Sequence, residues 1–309
     1  MFELRHLRLL CEIAQSGSYS AAARALGYTQ PAISQQMRAL EREAGTPLVT
    51  RVGRRMRLTE AGEALVRRAE GILTSVAAAE DELAGIAGLR AGRVRLIAFP
   101  SGSATLVPAA IARLTTAHPG IRVSLTEAEP PEAMRALRGG EADIALTFAY
   151  GEGGEGPDGE LAEIPLLDDP LYAVLPDAHP LCGRTSVKIC ELAGEPWIAG
   201  CERCRGNLLR LCGGFGFEPD IAFATDDGVA VQSLVAAGLG VALVPGLVLS
   251  ACQNPGTVAV RVAPEPRRFV SAVVWPDSRT VPAVAAMLEA LGRVAATTRA
   301  GQVAGAPAR

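Results

Sequence analysis

The sequence predicts an α/β chain in three parts: a small helical N-terminal unit, one long helix, and a large α/β body. Three observations carry that division. Residues 1–68 hold 11 arginines and 6 acidic residues, a local charge of +5, whereas the rest of the 309-residue chain carries −8 and the total is only −3. Apolar residues recur at helical spacing from Leu4 to Ile86. Beyond Gly92, short β-rich runs alternate with helical runs, the order of a parallel sheet with crossover helices.

Composition narrows the class. With 49% hydrophobic and 20% charged residues the chain is globular, not collagen-like, rod-like or disordered. Aromatics make up 4%, so the core must be built mainly from Leu, Val, Ile and Ala. Seven cysteines, an odd number, suit a reducing compartment better than a disulfide framework. The opening residues Met1 to Arg8 lack an uninterrupted apolar stretch, so a cytoplasmic location is expected. One uncharged run, between Asp227 and Arg261, is long enough to span a bilayer. Gly238, Gly240, Pro245 and Gly246 break it, and it reads as a buried strand at 241–244 between two helices, with no membrane partner.

In the basic unit, Leu4, Leu7, Leu10 and Ile13 mark a first helix that Gly17 ends. Ser18 can cap a short Ala-rich second helix, Tyr19 to Leu26, and Thr29 can cap a third with Pro31 in its first turn. The third helix turns Ile33, Met37 and Leu40 inward and shows Gln30, Ser34, Gln35, Arg38 and Arg42 outward. Two helices around a Gly-containing turn, with an outward Gln/Ser/Arg face, form the helix-turn-helix plan. Outward amides and hydroxyls can bond base edges or phosphates with little desolvation cost. Arg51, Arg54, Arg55 and Arg57 surround Gly53 between two short apolar runs, a wing whose guanidinium groups suit phosphates or a narrow minor groove.

These residues resemble a known family. Ala22-Ala23-Arg24-Ala25-Leu26, Thr29-Gln30-Pro31-Ala32-Ile33-Ser34, Leu40-Glu41, Leu48-Val49-Thr50-Arg51 and Leu58-Thr59-Glu60-Ala61-Gly62 are similar to the DNA-binding domain of LysR-type transcriptional regulators. Val49 departs from the Phe common there. The resemblance implies that Thr29, Gln30, Pro31, Ser34, Gln35 and Arg38 sit at double-stranded DNA, while Arg51, Arg54 and Arg55 grip its backbone.

Thr59 can cap a helix running to about Gly88. Leu65, Ala69, Ile72, Val76, Ala79, Leu83 and Ile86 alternate at steps of four and three, a heptad seam that favours pairing with a second copy. A dimer would present two recognition helices to an inverted-repeat operator. The resemblance also allows a homotetramer, and RNA polymerase as a partner if the protein activates transcription. The expected domains are 1–58, a linker at 59–91, an effector-binding body at 92–300, and a disordered tail at 301–309.

The body resembles the effector domain of the same family, a fold shared with periplasmic solute-binding proteins. Leu106-Val107-Pro108, Gly140-Glu141-Ala142-Asp143-Ile144-Ala145 and the run Val235 to Pro245 carry the likeness. It implies one lobe at 92–164 plus 269–300, a second at 165–268, and a small-molecule effector in the cleft between them. Pro100-Ser101-Gly102-Ser103 follows the first strand and opens a helix, which suits an anion or carboxylate. The expected effector contacts are Ser101, Gly102 and Ser103, with Thr147, Cys201 and Thr225 around them.

Cys201-Glu202-Arg203-Cys204 stands at a helix start, with Cys212 beyond. A helix N-terminus and nearby arginines lower a thiol pKa, so these three cysteines are compatible with a redox, electrophile or soft-metal sensor, or with a thiol-disulfide enzyme using Cys201 and Cys204. The alternative is that the thiols only pack or line the pocket. With three histidines and no second Cys-x-x-Cys, no metal site, cofactor or catalytic constellation is expected.

Overall fold

The computed structural model describes residues 2–53, 55–86, 92–151 and 159–304. The N-terminal unit packs three helices, α1 (Leu4–Ser16), α2 (Tyr19–Leu26) and α3 (Gln30–Ala44), against a hairpin of β1 (Val49–Val52) and β2 (Arg55–Leu58). The expected caps form. Ser18 accepts from the Ala21 N–H, Thr29 accepts from the Ala32 N–H, and Gly17 closes α1 in the left-handed region at φ 66°. Ile33, Met37 and Leu40 are fully buried with Leu9, Leu10 and Ala22. The Ile, Met and Leu side chains each contribute about 1.5–3 kcal/mol by the area they remove from water.

The long helix is α4 (Glu60–Ile86), started by Thr59, whose hydroxyl accepts from the Gly62 N–H at 3.1 Å and donates to the Pro47 carbonyl at 2.8 Å. Gly62 is required here, because a Cβ would lie 2.0 Å from the Leu48 carbonyl oxygen. The heptad seam divides. Ala69 is buried against Leu7, Cys11 and Leu73, so the near end of the seam packs on its own α1. Ile72 and Leu83 remain 43% and 64% exposed and keep the far end open to a second copy. Residues 87–91 of the expected linker lie outside the described residues.

The body is one continuous sheet of ten strands that serves two lobes. β3 (Arg93–Ala98) lies between β4 (Arg122–Glu127) and β5 (Ile144–Tyr150), parallel to both, and β12 (Arg267–Val274) returns antiparallel to β5. β6 (Ala162–Pro176) joins the lobes, pairing with β12 through Pro170 and then with β10 (Val241–Pro245) from Leu171. The sequence suggests two strands here, Ile164 to Leu167 and Leu171 to Leu175. The chain instead stays extended across Asp168-Asp169-Pro170, because its pairing partner changes there. In the second lobe β8 (Pro196–Ala199) runs parallel to β10 and to β9 (Asp220–Ala224). β11 (Thr257–Val262) covers the other side of β6 and joins the short β7 (Ser186–Val187).

Helices cover the faces. The first lobe carries α5 (Pro100–Ala104), α6 (Leu106–Ala117), α7 (Pro130–Arg138) and α11 (Pro282–Ala304). The second carries α8 (Glu202–Gly214), α9 (Gly228–Ala236) and α10 (Gly246–Ala251). The uncharged run thus folds as helix, buried strand and helix. At the C-terminus α11 continues to Ala304, so the disordered tail expected from 301 does not begin there. Residues 305–309 lie outside the described residues. α4 rests on the first lobe, with Gly71 facing the Trp275 ring and Arg68 3.7 Å from Glu160.

Candidate DNA interface and effector cleft

On the N-terminal unit, α3 exposes Gln30, Pro31, Gln35 and Arg38 to solvent, with Ser34 half-buried beside them. The Gln30 amide donates to the Ser34 hydroxyl at 3.1 Å, which holds two of the expected contact groups in register. Glu41 ties this helix to the hairpin by accepting from the backbone N–H groups of Leu48 (2.9 Å) and Val49 (3.3 Å). At the tip Gly53 takes φ 63° and its carbonyl accepts from the Arg51 guanidinium at 3.1 Å. Arg51, Arg55 and Arg57 are exposed, and Arg54 lies outside the described residues. The structure therefore brings one polar helix face and a cationic hairpin to the surface of a single small unit.

The second site is a cavity of about 590 Å³ between the lobes. It opens where parallel strands end: Phe99, Pro100 and Ser101 follow β3, Glu129 follows β4, Gly200 and Cys201 follow β8, and Thr225 to Gly228 follow β9. Carboxyl ends of strands are where α/β sheets leave a crevice, because the chain departs there into helices on opposite faces. Ser101, Cys201 and Thr225 line it as the sequence suggests. Gly102, Ser103 and Thr147 do not. Gly102 packs on the Phe99 ring, and the Ser103 hydroxyl donates to the Ala98 carbonyl at 3.2 Å. Thr147 stands opposite Ser271 in the sheet, and strand alternation turns its neighbour Phe148 to the cavity instead.

Several lining residues escape sequence reasoning, chief among them Arg268. Its guanidinium is 3% exposed, pairs with the fully buried Asp169 at 2.8 Å, and donates to the Ser101 hydroxyl at 2.6 Å. It also lies 5.0 Å from the Phe99 ring centre and 4.7 Å from that of Phe148. Asp169 in turn accepts from the Leu247 N–H at 3.0 Å. Burial pushes the Asp169 carboxyl upward while Arg268 opposes it. Two guanidinium nitrogens, Nε at 2.9 Å and Nη2 at 2.8 Å, converge on Asp169 Oδ2, which favours the charged pair. No local pattern announces this strut, since its members are about a hundred residues apart. Glu127, Glu129, Asp226 and Asp227 also line the cavity. The Asp226-Asp227 pair adjoining Thr225 was the one readable signal.

The thiols separate into two groups. The Cys201 and Cys204 sulfurs are 2.8 Å apart, and Cys201 caps α8 by accepting from the Cys204 N–H at 3.4 Å. Tyr150, from the first lobe, donates its hydroxyl to the Cys204 sulfur at 3.3 Å. The neighbouring Cys201 thiol lowers the Cys204 pKa, helped by Tyr150 and Arg268, and the same sulfur contact raises that of Cys201. Cys212 is fully buried in the second lobe with Trp197 and Leu208, and burial raises it to about 11. It is not part of the pair.

Comparison with known proteins decides what these two sites belong to. The family profile "Bacterial regulatory helix-turn-helix protein, lysR family" matches residues 4–63, and "LysR substrate binding domain" matches residues 87–296. The chain belongs to the LysR family of transcriptional regulators. It joins a helix-turn-helix unit of that family to a LysR substrate-binding domain. A curated relative, the DNA-binding transcriptional dual regulator OxyR of Escherichia coli, is 27% identical over 279 residues, covering 89% of this chain and 90% of its own. A probable hydrogen peroxide-inducible genes activator of Mycobacterium avium is 32% identical over 274 residues, 86% of each chain. These relatives are transcriptional regulators. Among solved structures, a full-length OxyR variant from Pseudomonas aeruginosa matches with TM-score 0.69 at 23% identity, covering 96% of this chain and 95% of its own. Full-length CbnR complexed with its target DNA matches with TM-score 0.58 at 23% identity, covering 95% and 100%. Both show the same fold. No helix among the described residues is long and apolar enough to cross a membrane.

Proposed function

We propose that this LysR regulator binds an operator through 1–58, pairs through 59–91, and reads a small molecule held between lobe I (92–164 and 269–300) and lobe II (165–268). The observation that carries the reading is the cavity of about 590 Å³ at the strand ends, lined from both lobes. A ligand touching both lobes stabilises one lobe arrangement, and the change passes to α4 through its contact with lobe I. The DNA contacts are Thr29, Gln30, Pro31, Ser34, Gln35 and Arg38, with Arg51, Arg54 and Arg55 on the backbone. The effector contacts are Ser101, Cys201 and Thr225. The protein works in the cytoplasm as a regulator without catalysis. Genome-wide capture of its DNA sites tests this. The expected result is a small set of inverted-repeat sites bound over random duplex at physiological salt, and equal binding to both would overturn it.

A second reading is favoured by one observation, the 2.8 Å approach of the Cys201 and Cys204 sulfurs in the cavity wall. The peroxide response named for the relatives fits such a pair. The Cys204 thiolate attacks one peroxide oxygen, the O–O bond breaks, and hydroxide leaves, giving a sulfenic acid. The Cys201 thiol then attacks that sulfur, forming the S–S bond and releasing water. Oxidation turns the Cys204 sulfur that Tyr150 holds across the lobes from a thiolate into one half of a disulfide, a weaker acceptor for the Tyr150 hydroxyl. Treatment with hydrogen peroxide followed by mass mapping should show a 201–204 disulfide at near-stoichiometric peroxide, with Cys212 still free. Oxidation at the exposed Cys190 and Cys252 in preference to this pair would remove the reading.

A further inference from the structure

We propose that the interlobe cleft selects an organic cation, a ligand with a protonated amine or amidine group on an apolar body. The proposal rests on the cleft being the effector site and adds the chemistry of its ligand. The sequence points the other way, to an anion at 100–103, but the structure leaves no anion site there. Ser101 is taken by Arg268 at 2.6 Å, Ser103 donates to the Ala98 carbonyl at 3.2 Å, and α5 is a single short turn. Among the described residues Arg268 is the one basic side chain in the lining, and Asp169 already matches its charge at 2.8 Å. Arg203 is not in the lining and stands over the Phe148 ring at 5.8 Å.

Against this stand four carboxylates from opposite walls. Glu127 and Glu129 come from lobe I, Asp226 and Asp227 from lobe II. None of the four is in an ion pair among the described residues, although Asp227 caps α9 through the Val229 and Ala230 N–H groups. The decisive atom is Glu129 Oε2, which is buried and has no hydrogen-bond partner. An unpaired buried carboxylate oxygen is costly, and a ligand N–H would remove the cost. Burial raises the Glu129 pKa and the Asp226 charge raises it further, while a hydrogen bond from the Cys201 thiol and the Arg268 charge oppose them. A cation between them relieves both. The rest of the wall is apolar, with Phe99, Val231 and Val248 ready to take a hydrocarbon body. No group of three metal-ligating side chains among the described residues is placed to hold a metal ion, which favours a bulkier organic cation.

The test compares benzylamine, benzamidine, benzoate and benzyl alcohol on the full-length protein, by calorimetry and by protection of Cys204 from alkylation. Protection of Cys204 reports occupancy of the cleft whatever the ligand's charge. The two cations should bind and protect, benzoate should do neither, and Glu129→Gln should weaken the cations on the order of tenfold without changing benzyl alcohol. Benzoate binding as well as or better than the cations, with protection, would overturn the charge assignment and leave the cleft reading standing. Cation binding that leaves Cys204 reactive and ignores Glu129→Gln would overturn both. No binding by either cation would overturn the proposal alone.

Discussion

Arg268→Ala is expected to destabilise the effector domain by about 3–5 kcal/mol, because it strands the fully buried Asp169 carboxylate without its partner. The loss reaches further than one ion pair. Arg268 also satisfies Ser101 and fills the space between the Phe99 and Phe148 rings, so both cleft walls lose a support. In thermal melts the domain should drop on the order of 10 °C, given the entropy of unfolding for a domain of this size. Asp169→Ala should cost a similar amount, since it buries an unpaired guanidinium and frees the Leu247 N–H. The double variant Asp169→Leu with Arg268→Met is the informative control. Removing both charges together should recover much of the loss, because a buried pair is close to neutral against apolar groups of similar volume. Melting of Arg268→Ala at the wild-type temperature would show that the guanidinium is not the strut described here.

The second large effect lies in α3. Gln35→Ala and Arg38→Ala should each weaken operator binding by about 1–3 kcal/mol, roughly five- to 150-fold, with little change on random duplex. Both side chains are exposed and outside the core formed by Ile33, Met37 and Leu40, so folding should be unaffected. Arg55→Ala in the hairpin should act differently. It should weaken specific and random DNA alike and reduce the slope of log affinity against log salt by about one. Fluorescence anisotropy on both duplexes over a salt series separates the two behaviours. A uniform loss from Gln35→Ala, or a sequence-selective loss from Arg55→Ala, would reverse the roles given to helix and wing.

The helix-turn-helix was legible almost residue by residue because its determinants are local. Ser18 and Thr29 cap helices that begin one residue later, Gly17 ends α1, and the buried and exposed faces of α3 follow from its 3.6-residue period. The effector cleft was legible only in part. Ser101, Cys201 and Thr225 could be placed because each follows a recognisable strand. Ser103 and Thr147 could not, since strand phase and a backbone hydrogen bond turn them away. The heptad seam shows the same limit. Spacing marks Ala69 as a contact position but does not say that α1 of the same chain takes it.

The opposed charges of the two halves, the helix-turn-helix with its wing, and the alternation of strands and helices were determined by sequence alone. Each depends on residues a few positions apart, where backbone geometry leaves few alternatives. The sign of the cleft was decided only by tertiary structure. Hydroxyls and free N–H groups at 100–103 read as an anion site until Arg268, 167 residues from Ser101, closes over them. Glu129 and Asp226 then face one another from separate lobes. Electrostatics in a cavity depends on distance through space, and folding sets that distance between residues the sequence keeps far apart.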